Sequence, residues 1–440
     1  MNPEPTHDAA PAAVGVDADP GPPEISVVIP THNVQDYVDE LLSSVRSAAG
    51  VRLEIIVVDD HSTDDTWQIL QRHAAEDARV RLLRSPGSGG GEARNAGIMQ
   101  AVGEYLAFAD GDDIVPGEAY AAMLAAARRT GAEIVTGSYQ KFDGEWSWDG
   151  AAKFGYDVEL DAVDLSRHPR LIVHRVCWNR LYRREFWLAQ AITFPSVPRA
   201  NDVVPVTRAL LAARRISVVP VLTYRYRTRP GSMTAGQGSA AGTASYLAQE
   251  AEAARLIEQH AAPQVAGEYW GAILAQDCWR HLRAYLREDG DRADAEDAAV
   301  AAGLASLLAL APDPLPPQLS PVQHAVFILV RHRQRRPAAR LVAMTNRFGK
   351  LTRSKAATVP ETVEILAAVA GTGALEPAQF TSLTEALLRP ALRKAGPGIT
   401  VDTCRAVFSL LRRLPPRYLA TLPTLLFREV RSRIARRMAR

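Results

Sequence analysis

Cysteine is scarce in this sequence: Cys177, Cys278 and Cys404 are the only three among 440 residues, they lie far apart, and no C-x-x-C pair occurs. That excludes a disulfide framework and suits a reducing compartment. Residues 1–23, rich in Pro, Ala and Asp, have neither the basic start nor the apolar run of a secretory leader, and they read as a disordered tail. The longest mostly apolar run, 298–311, is Ala-rich and falls short of the roughly 18 to 20 residues that span a bilayer. A cytoplasmic chain is expected. Several nucleotide and ion signatures are missing as well. There is no G-x-x-x-x-G-K, the glycine run at 87–91 does not satisfy G-x-G-x-x-G, and a calcium loop starting at Asp110 would put Ala121 where a bidentate Glu is required. No internal repeat and no nucleic-acid-binding module is evident.

What is present is enough apolar content, 47%, for a large core, and a length that implies two or three domains. The net charge of +2 hides an asymmetry: from Ala325 onward there are 22 Lys and Arg against 6 Asp and Glu, leaving 29 against 43 before it. A basic end favours an anionic surface. Its last helix carries Leu426, Phe427, Val430, Ile434 and Met438 on one side and Arg428, Arg431, Arg433, Arg436, Arg437 and Arg440 elsewhere. Two readings stay open: peripheral contact with an anionic membrane at the cytoplasmic leaflet, or packing on the chain itself or on a second copy in a homo-oligomer.

Four short apolar runs, at 25–29, 53–58, 80–83 and 105–108, read as buried strands, and stretches of helical spacing separate them. Alternating strand and helix predicts an α/β fold with a mostly parallel sheet. Thr31 to Asn33, Asp59-Asp60, Arg94-Asn95 and Asp110-Gly111-Asp112 all follow strands, at the carboxyl edge where open α/β sheets bind ligands. Two carboxylates one residue apart, Asp110 and Asp112, suit a hard divalent cation bridging a diphosphate, although an isolated D-G-D is also a turn and capping motif. Asp59-Asp60 offers an acceptor for a base imide, with capping of the next helix by Ser62, Thr63 or Asp64 as the alternative. Gly87 to Gly91 ahead of Arg94 can bring backbone amides and a guanidinium to a phosphate, or form a mobile surface loop.

Taken in order, I-S-V-V-I-P-T-H-N at 25–33, I-I-V-V-D-D-H-S-T-D at 55–64, E-A-R-N-A-G at 92–97 and G-E-Y-L-A-F-A-D-G-D-D at 103–113 resemble the signatures of family 2 glycosyltransferases, among them bacterial capsule and cell-wall polysaccharide enzymes. The resemblance covers about residues 24–235. It implies the Rossmann-like GT-A fold, with a nucleotide-binding half followed by an acceptor half. Pro30, Thr31 and Asn33 should then line the nucleoside pocket, Asp60 should recognise the base, and Arg94 should contact the diphosphate of a nucleotide-sugar donor, UDP by family frequency. Asp110 should lie near the ribose and the metal, Asp112 should ligate Mn²⁺ or Mg²⁺, and Asp113 should support them. C-W-N-R-L-Y-R-R at 177–184 and I-T-F-P at 192–195 resemble the stretch leading to a Glu-Asp pair that carries the catalytic base. Here the pair is Asn201-Asp202, so Asp202 is the expected general base of an inverting reaction, with helix capping before Pro205 as its alternative. Y-R-Y-R-T-R-P-G-S-M-T at 224–234 resembles the closing segment, which implies Arg227 and Ser232 at the diphosphate; a solvated basic strand remains the other reading of Arg225, Arg227 and Arg229. The acceptor is expected to be a glycan, wall polymer or lipid-linked glycan. A non-catalytic glycan-binding or scaffolding protein that kept the fold is the competing class.

Helical periodicity alone follows from about Ser245, with Trp270, Ile273, Leu274, Cys278, Leu282 and Tyr285 along one face. The expected organisation is a tail at 1–23, a GT-A domain at 24–240, a helical segment at 241–311, a Pro-rich linker at 312–324 and a basic helical region at 325–440.

Overall fold

Aliphatic and aromatic residues dominate the four apolar runs, and each becomes a strand: β1 (Ile25–Thr31), β2 (Leu53–Asp59), β3 (Val80–Arg84) and β4 (Tyr105–Phe108), buried as expected except for the edge strand β3, where only Val80 is buried. The computed structural model describes residues 21–144, 146–229, 238–287, 294–346, 350–351, 358–394, 409–410 and 412–419. Most of the expected N-terminal tail, Ser232, Cys404 and the arginine-rich last helix therefore lie outside the described residues.

Between the strands run α1 (Val38–Arg46), α2 (Thr66–Glu76) and α3 (Gly90–Gln100), and α4 (Ala119–Thr130) follows β4. The inward stripe of α1 is Val38, Leu41, Leu42 and Val45, all fully buried. Parallel pairing joins β3 to β2, β2 to β1 and β1 to β4. The chain thus winds outward from β1 to β3 and then returns to place β4 on the other side of β1. The loops after β1 and β4 diverge at that reversal, which opens a crevice at the carboxyl edge.

The sheet continues with β5 (Ile134–Phe142), β6 (Ser147–Asp149), β7 (Leu160–Val163), β8 (Arg180–Arg183) and β9 (Ile216–Arg227), in the order β3-β2-β1-β4-β8-β5-β9-β7 with β6 hydrogen-bonded to β5. β8 runs antiparallel between β4 and β5, and β5 pairs parallel with β9. Connecting helices here are α5 (Ala151–Phe154), α6 (Arg184–Ala189) and α7 (Val203–Ala212).

The glycine run behaves differently from a simple loop. Gly90 and Gly91 already belong to the first turn of α3, and a Cβ on Gly91 would lie 2.3 Å from the Pro195 carbonyl oxygen. Asn95 then holds the backbone of Phe194 from both sides, donating to its carbonyl at 2.8 Å and accepting from its amide at 2.9 Å. The E-A-R-N-A-G and I-T-F-P segments are therefore two halves of one contact.

Helices make up the rest: α8 (Ala240–His260), α9 (Pro263–Ala272), α10 (Trp279–Arg287), α11 (Asp294–Leu308), α12 (Pro321–Arg331), α13 (Arg335–Ala343), α14 (Val359–Thr372) and α15 (Pro377–Lys394). A π-helical turn, Ile273–Cys278, joins α9 to α10 and keeps the Trp270-to-Tyr285 stripe buried. Ser320 and Gln323 cap α12 reciprocally, so the end of the Pro-rich stretch is helix, and α12 packs on α11, α13, α14 and α15. Arg175, before β8, fastens the sheet to these helices through Glu250 of α8 at 2.5 Å, and Tyr269 of α9 donates to the same carboxylate at 2.6 Å.

Candidate active site

Polar residues at the ends of β1, β2 and β4 meet at the crevice. Asp59 is consumed locally, accepting from the Thr31 hydroxyl at 3.4 Å, the Ser62 amide at 3.1 Å and Arg84 at 2.5 Å. Asp60 is not. Its Oδ2 accepts from the Gly89 amide at 2.7 Å, while its buried Oδ1 has no partner. A buried carboxylate oxygen left open is costly, and a ligand N–H satisfies it. Asn33, with φ of 50°, accepts from the Thr63 amide at 2.8 Å, which closes the β1 and β2 loops against each other. Of the capping candidates Ser62, Thr63 and Asp64, Asp64 accepts from the Thr66 amide at 3.0 Å at the start of α2, while Asp65 at the N-cap position makes no capping hydrogen bond.

The D-G-D-D turn after β4 packs directly on the end of β1. A Cβ on Gly111 would come within 3.1 Å of Val34, 3.2 Å of Thr31 and 3.3 Å of the Pro30 carbonyl oxygen. Each carboxylate has a different role. Asp110 accepts from Arg94 at 2.5 Å, and Asp112 accepts from Arg229 at 2.7 Å. Asp113 is fully buried, with one oxygen receiving the Tyr224 hydroxyl at 2.7 Å and the other the Arg227 amide at 2.6 Å. Burial, reinforced by the neighbouring carboxylates, pushes Asp112 and Asp113 above the usual carboxylate range.

Arg94 is buried rather than splayed toward solvent, and it also donates to the Asn201 side chain at 3.0 Å. Asn201 thereby holds the start of α7, and with it Asp202, against the D-G-D-D turn. Asp202 occupies the N-cap position of α7 but makes no capping hydrogen bond. Burial pushes its carboxyl up to about 6, opposed by Arg94 and aided by Asp110. Asp60 is thus tied to the Gly89 amide ahead of α3, and Arg94 of α3 to Asp110 and Asn201, which stand two residues before Asp112 and one before Asp202.

The basic strand is not a solvated one. Arg227 donates to the Asp112 carbonyl at 2.8 Å and to Glu40 at 2.5 Å, and Arg225 and Arg227 lie 4.4 and 4.5 Å from the Phe142 ring centroid. Sequence reasoning missed the pairing of Arg229 with Asp112 and the double role of Tyr224, whose hydroxyl accepts from the Asp110 amide at 2.9 Å while donating to Asp113. The Y-R-Y-R-T-R alternation was the signal available for both.

Comparison with known proteins shows the family. The profile described as "Glycosyl transferase family 2" matches residues 26–187. The glycosyltransferase GlyG of Streptococcus pneumoniae is 30% identical over 226 residues, covering 48% of this chain and 72% of GlyG. This chain belongs to glycosyl transferase family 2. The uncharacterized glycosyltransferase EpsJ of Bacillus subtilis is 27% identical over 218 residues, covering 48% of this chain, and the chain spans 63% of its length. Among solved structures, S. aureus TarS residues 1–349 in complex with UDP-GlcNAc superposes with a TM-score of 0.58 at 22% identity, covering 72% of this chain and 90% of that one. That likeness establishes the Rossmann-like GT-A fold for this family 2 chain and takes in part of the helical region.

Proposed function

We propose that the chain transfers a sugar from a nucleoside-diphosphate sugar, a UDP-sugar foremost, to a hydroxyl of a glycan, wall-polymer or lipid-linked acceptor with inversion at the anomeric carbon. The observation that carries this reading is Asp202: a carboxyl without a capping role, raised to about 6, tied through Asn201 and Arg94 to the D-G-D-D turn. Such a carboxylate is ionised near neutral pH and still basic enough to accept a proton. It accepts the acceptor hydroxyl's proton while that oxygen attacks the anomeric carbon opposite the departing diphosphate. The open oxygen of Asp60 receives a base N–H, and Pro30, Thr31 and Asn33 border the nucleoside. Arg94, Arg227 and the undescribed Ser232 are the proposed diphosphate neighbours.

The residues present fit a divalent cation, Mn²⁺ or Mg²⁺. Asp112 and Asp110 are the proposed holders, and their raised neighbour Asp113 reflects an excess of buried carboxylate. No cluster of three or more His, Cys, Asp or Glu side chains poised for a metal occurs among the described residues. An ion held by Asp112 and Asp110 would take its remaining ligands from diphosphate oxygens. When bound, it supplies positive charge to the leaving diphosphate.

Support for the acceptor class comes from relatives. S. aureus TarS is named a poly(ribitol-phosphate) beta-N-acetylglucosaminyltransferase, and ExoO of Rhizobium meliloti a succinoglycan biosynthesis protein. We place the reaction in the cytoplasm, a reducing compartment that suits three cysteines far apart in sequence. Peripheral attachment through residues 415–440 is part of this proposal, and deleting them should reduce co-sedimentation with anionic vesicles.

A nucleotide-release screen over UDP-, GDP- and dTDP-sugars with and without Mn²⁺ tests the activity. Turnover is expected to require metal, with Asp112→Ala lowering it at least about 100-fold. Metal-independent turnover that survives both Asp112→Ala and Asp202→Asn overturns the reading.

A further inference from the structure

A group of cations connected to the acidic turn through packed rings is not used by the donor chemistry. Tyr139 and Lys141 sit two residues apart on one face of β5. The Lys141 Nζ lies 5.1 Å from the Tyr226 ring centroid. Tyr226 stacks on Trp178 at 5.6 Å, Trp178 stacks on Tyr224 at 4.4 Å, and Tyr224 reaches Asp113. On its other side Tyr139 stacks on His174 at 4.7 Å, His174 stacks on Phe154 at 4.4 Å, and the Lys153 Nζ lies 4.9 Å from the Phe154 centroid. The result is a continuous aromatic floor running from the acidic turn to two lysines.

Arg280, in the first turn of α10, lies near enough for its charge to act on both lysines. It pairs with Asp277 at 3.2 Å, and Asp277 also meets Arg175 at 3.5 Å. One carboxylate therefore serves several cations, whereas neither Lys141 nor Lys153 forms an ion pair among the described residues. Burial, then repulsion from Arg280 and Lys153, draws Lys141 below the ordinary lysine range. Lys153 is lowered by burial as well, with Arg280 again adding to the fall. Gathering like charges this way is unfavourable unless an anion joins them. Trp148, on the β6 edge, is 52% exposed, and its ring and the Tyr139 hydroxyl both close on Gly150.

We infer that Lys141, Lys153 and Arg280, with Trp148 beside them, form a subsite that holds a phosphate group of the acceptor while its reacting hydroxyl faces Asp202. This rests on the transferase reading above. Cations arriving from β5, α5 and α10 suit a tetrahedral group with several acceptor oxygens better than one planar carboxylate. A bilayer is the poorer occupant, because Lys141 is half-buried and a flat surface does not reach it.

The test titrates the full chain, followed by tryptophan fluorescence at low salt, with four probes: a glycerol phosphate oligomer, an isoprenyl phosphate in neutral detergent micelles, an oligogalacturonate and a neutral dextran of matched length. At least one phosphate probe should bind about tenfold or more tighter than dextran, and which of the two binds identifies a polymer or a lipid as the phosphate source. Lys141→Gln, Lys153→Gln and Arg280→Gln should each weaken that binding by about three- to tenfold, and Lys141→Arg should retain most of it. Equal binding of dextran or oligogalacturonate overturns the inference, as does no binding of either phosphate probe. So does an unaltered Lys141→Gln/Arg280→Gln double variant or a parallel loss of UDP affinity. A chain that turns over donor but fails the phosphate arms loses this subsite alone. A chain that passes the phosphate arms but releases no nucleotide from any sugar nucleotide loses the transferase reading alone.

Discussion

Replacing Asp202 by Asn separates a catalytic carboxylate from a structural one, because the two effects have opposite signs. The Asp202 carboxyl titrates at about 6, against an ordinary Asp value near 3.8. At pH 7 roughly ten parts in eleven are ionised, and at pH 5 roughly one in eleven. The kcat/KM profile of the wild type should therefore fall about tenfold per unit below pH 6 and level off above it. Asp202→Asn should lose at least about 100-fold at pH 7.5 and lose the acid limb with it. Stability moves the other way. The folded state binds the Asp202 proton more tightly than the unfolded chain, so ionising it removes stability as pH rises from about 4 to about 6. A shift of about two units corresponds to at most about 3 kcal/mol, and partial exposure of the residue brings this to about 1 to 3 kcal/mol. Asparagine carries no such cost, so the variant should unfold later than wild type in a thermal melt at pH 7 and gain nothing at pH 4. An acid limb that persists in Asp202→Asn, or a variant less stable than wild type at pH 7, refutes the assignment.

Two further outcomes follow from the geometry. Asp60→Ala removes the open acceptor oxygen and the partner of the Gly89 amide, and UDP affinity measured by calorimetry should fall about tenfold or more while the melting temperature changes little. Arg175→Met leaves Glu250 buried without its cation, and chemical denaturation should register a loss of about 3 to 5 kcal/mol, with the helices losing their attachment to the sheet.

The glycines and prolines of the sequence take their meaning from these contacts. Gly91 is small because Pro195 lies against it, and Gly111 because the turn rests on Pro30 and Thr31. Neither reason was visible from spacing, although both residues stand inside recognisable motifs. The Pro-rich stretch was legible as a break in helical periodicity, but its last part starts α12, since Ser320 and Pro321 favour the first turn of a helix as readily as they interrupt one.

Local pattern alone determined the first four strands, their alternation with helices, and the presence of acidic and basic residues just after strand ends. Those features depend on neighbours a few residues away, where β-branched runs and helical periodicity act directly. Tertiary structure decided which of two adjacent aspartates stays open, that Asn201 answers Arg94, that Arg229 rather than solvent faces Asp112, and that Arg280 comes to stand with Lys141. Each joins segments far apart in the chain. The irregular register between β5 and β9 near Gly137 and Ser138 sets which side chains of the basic strand face the turn, and an inserted offset of that kind cannot be read from a period of two.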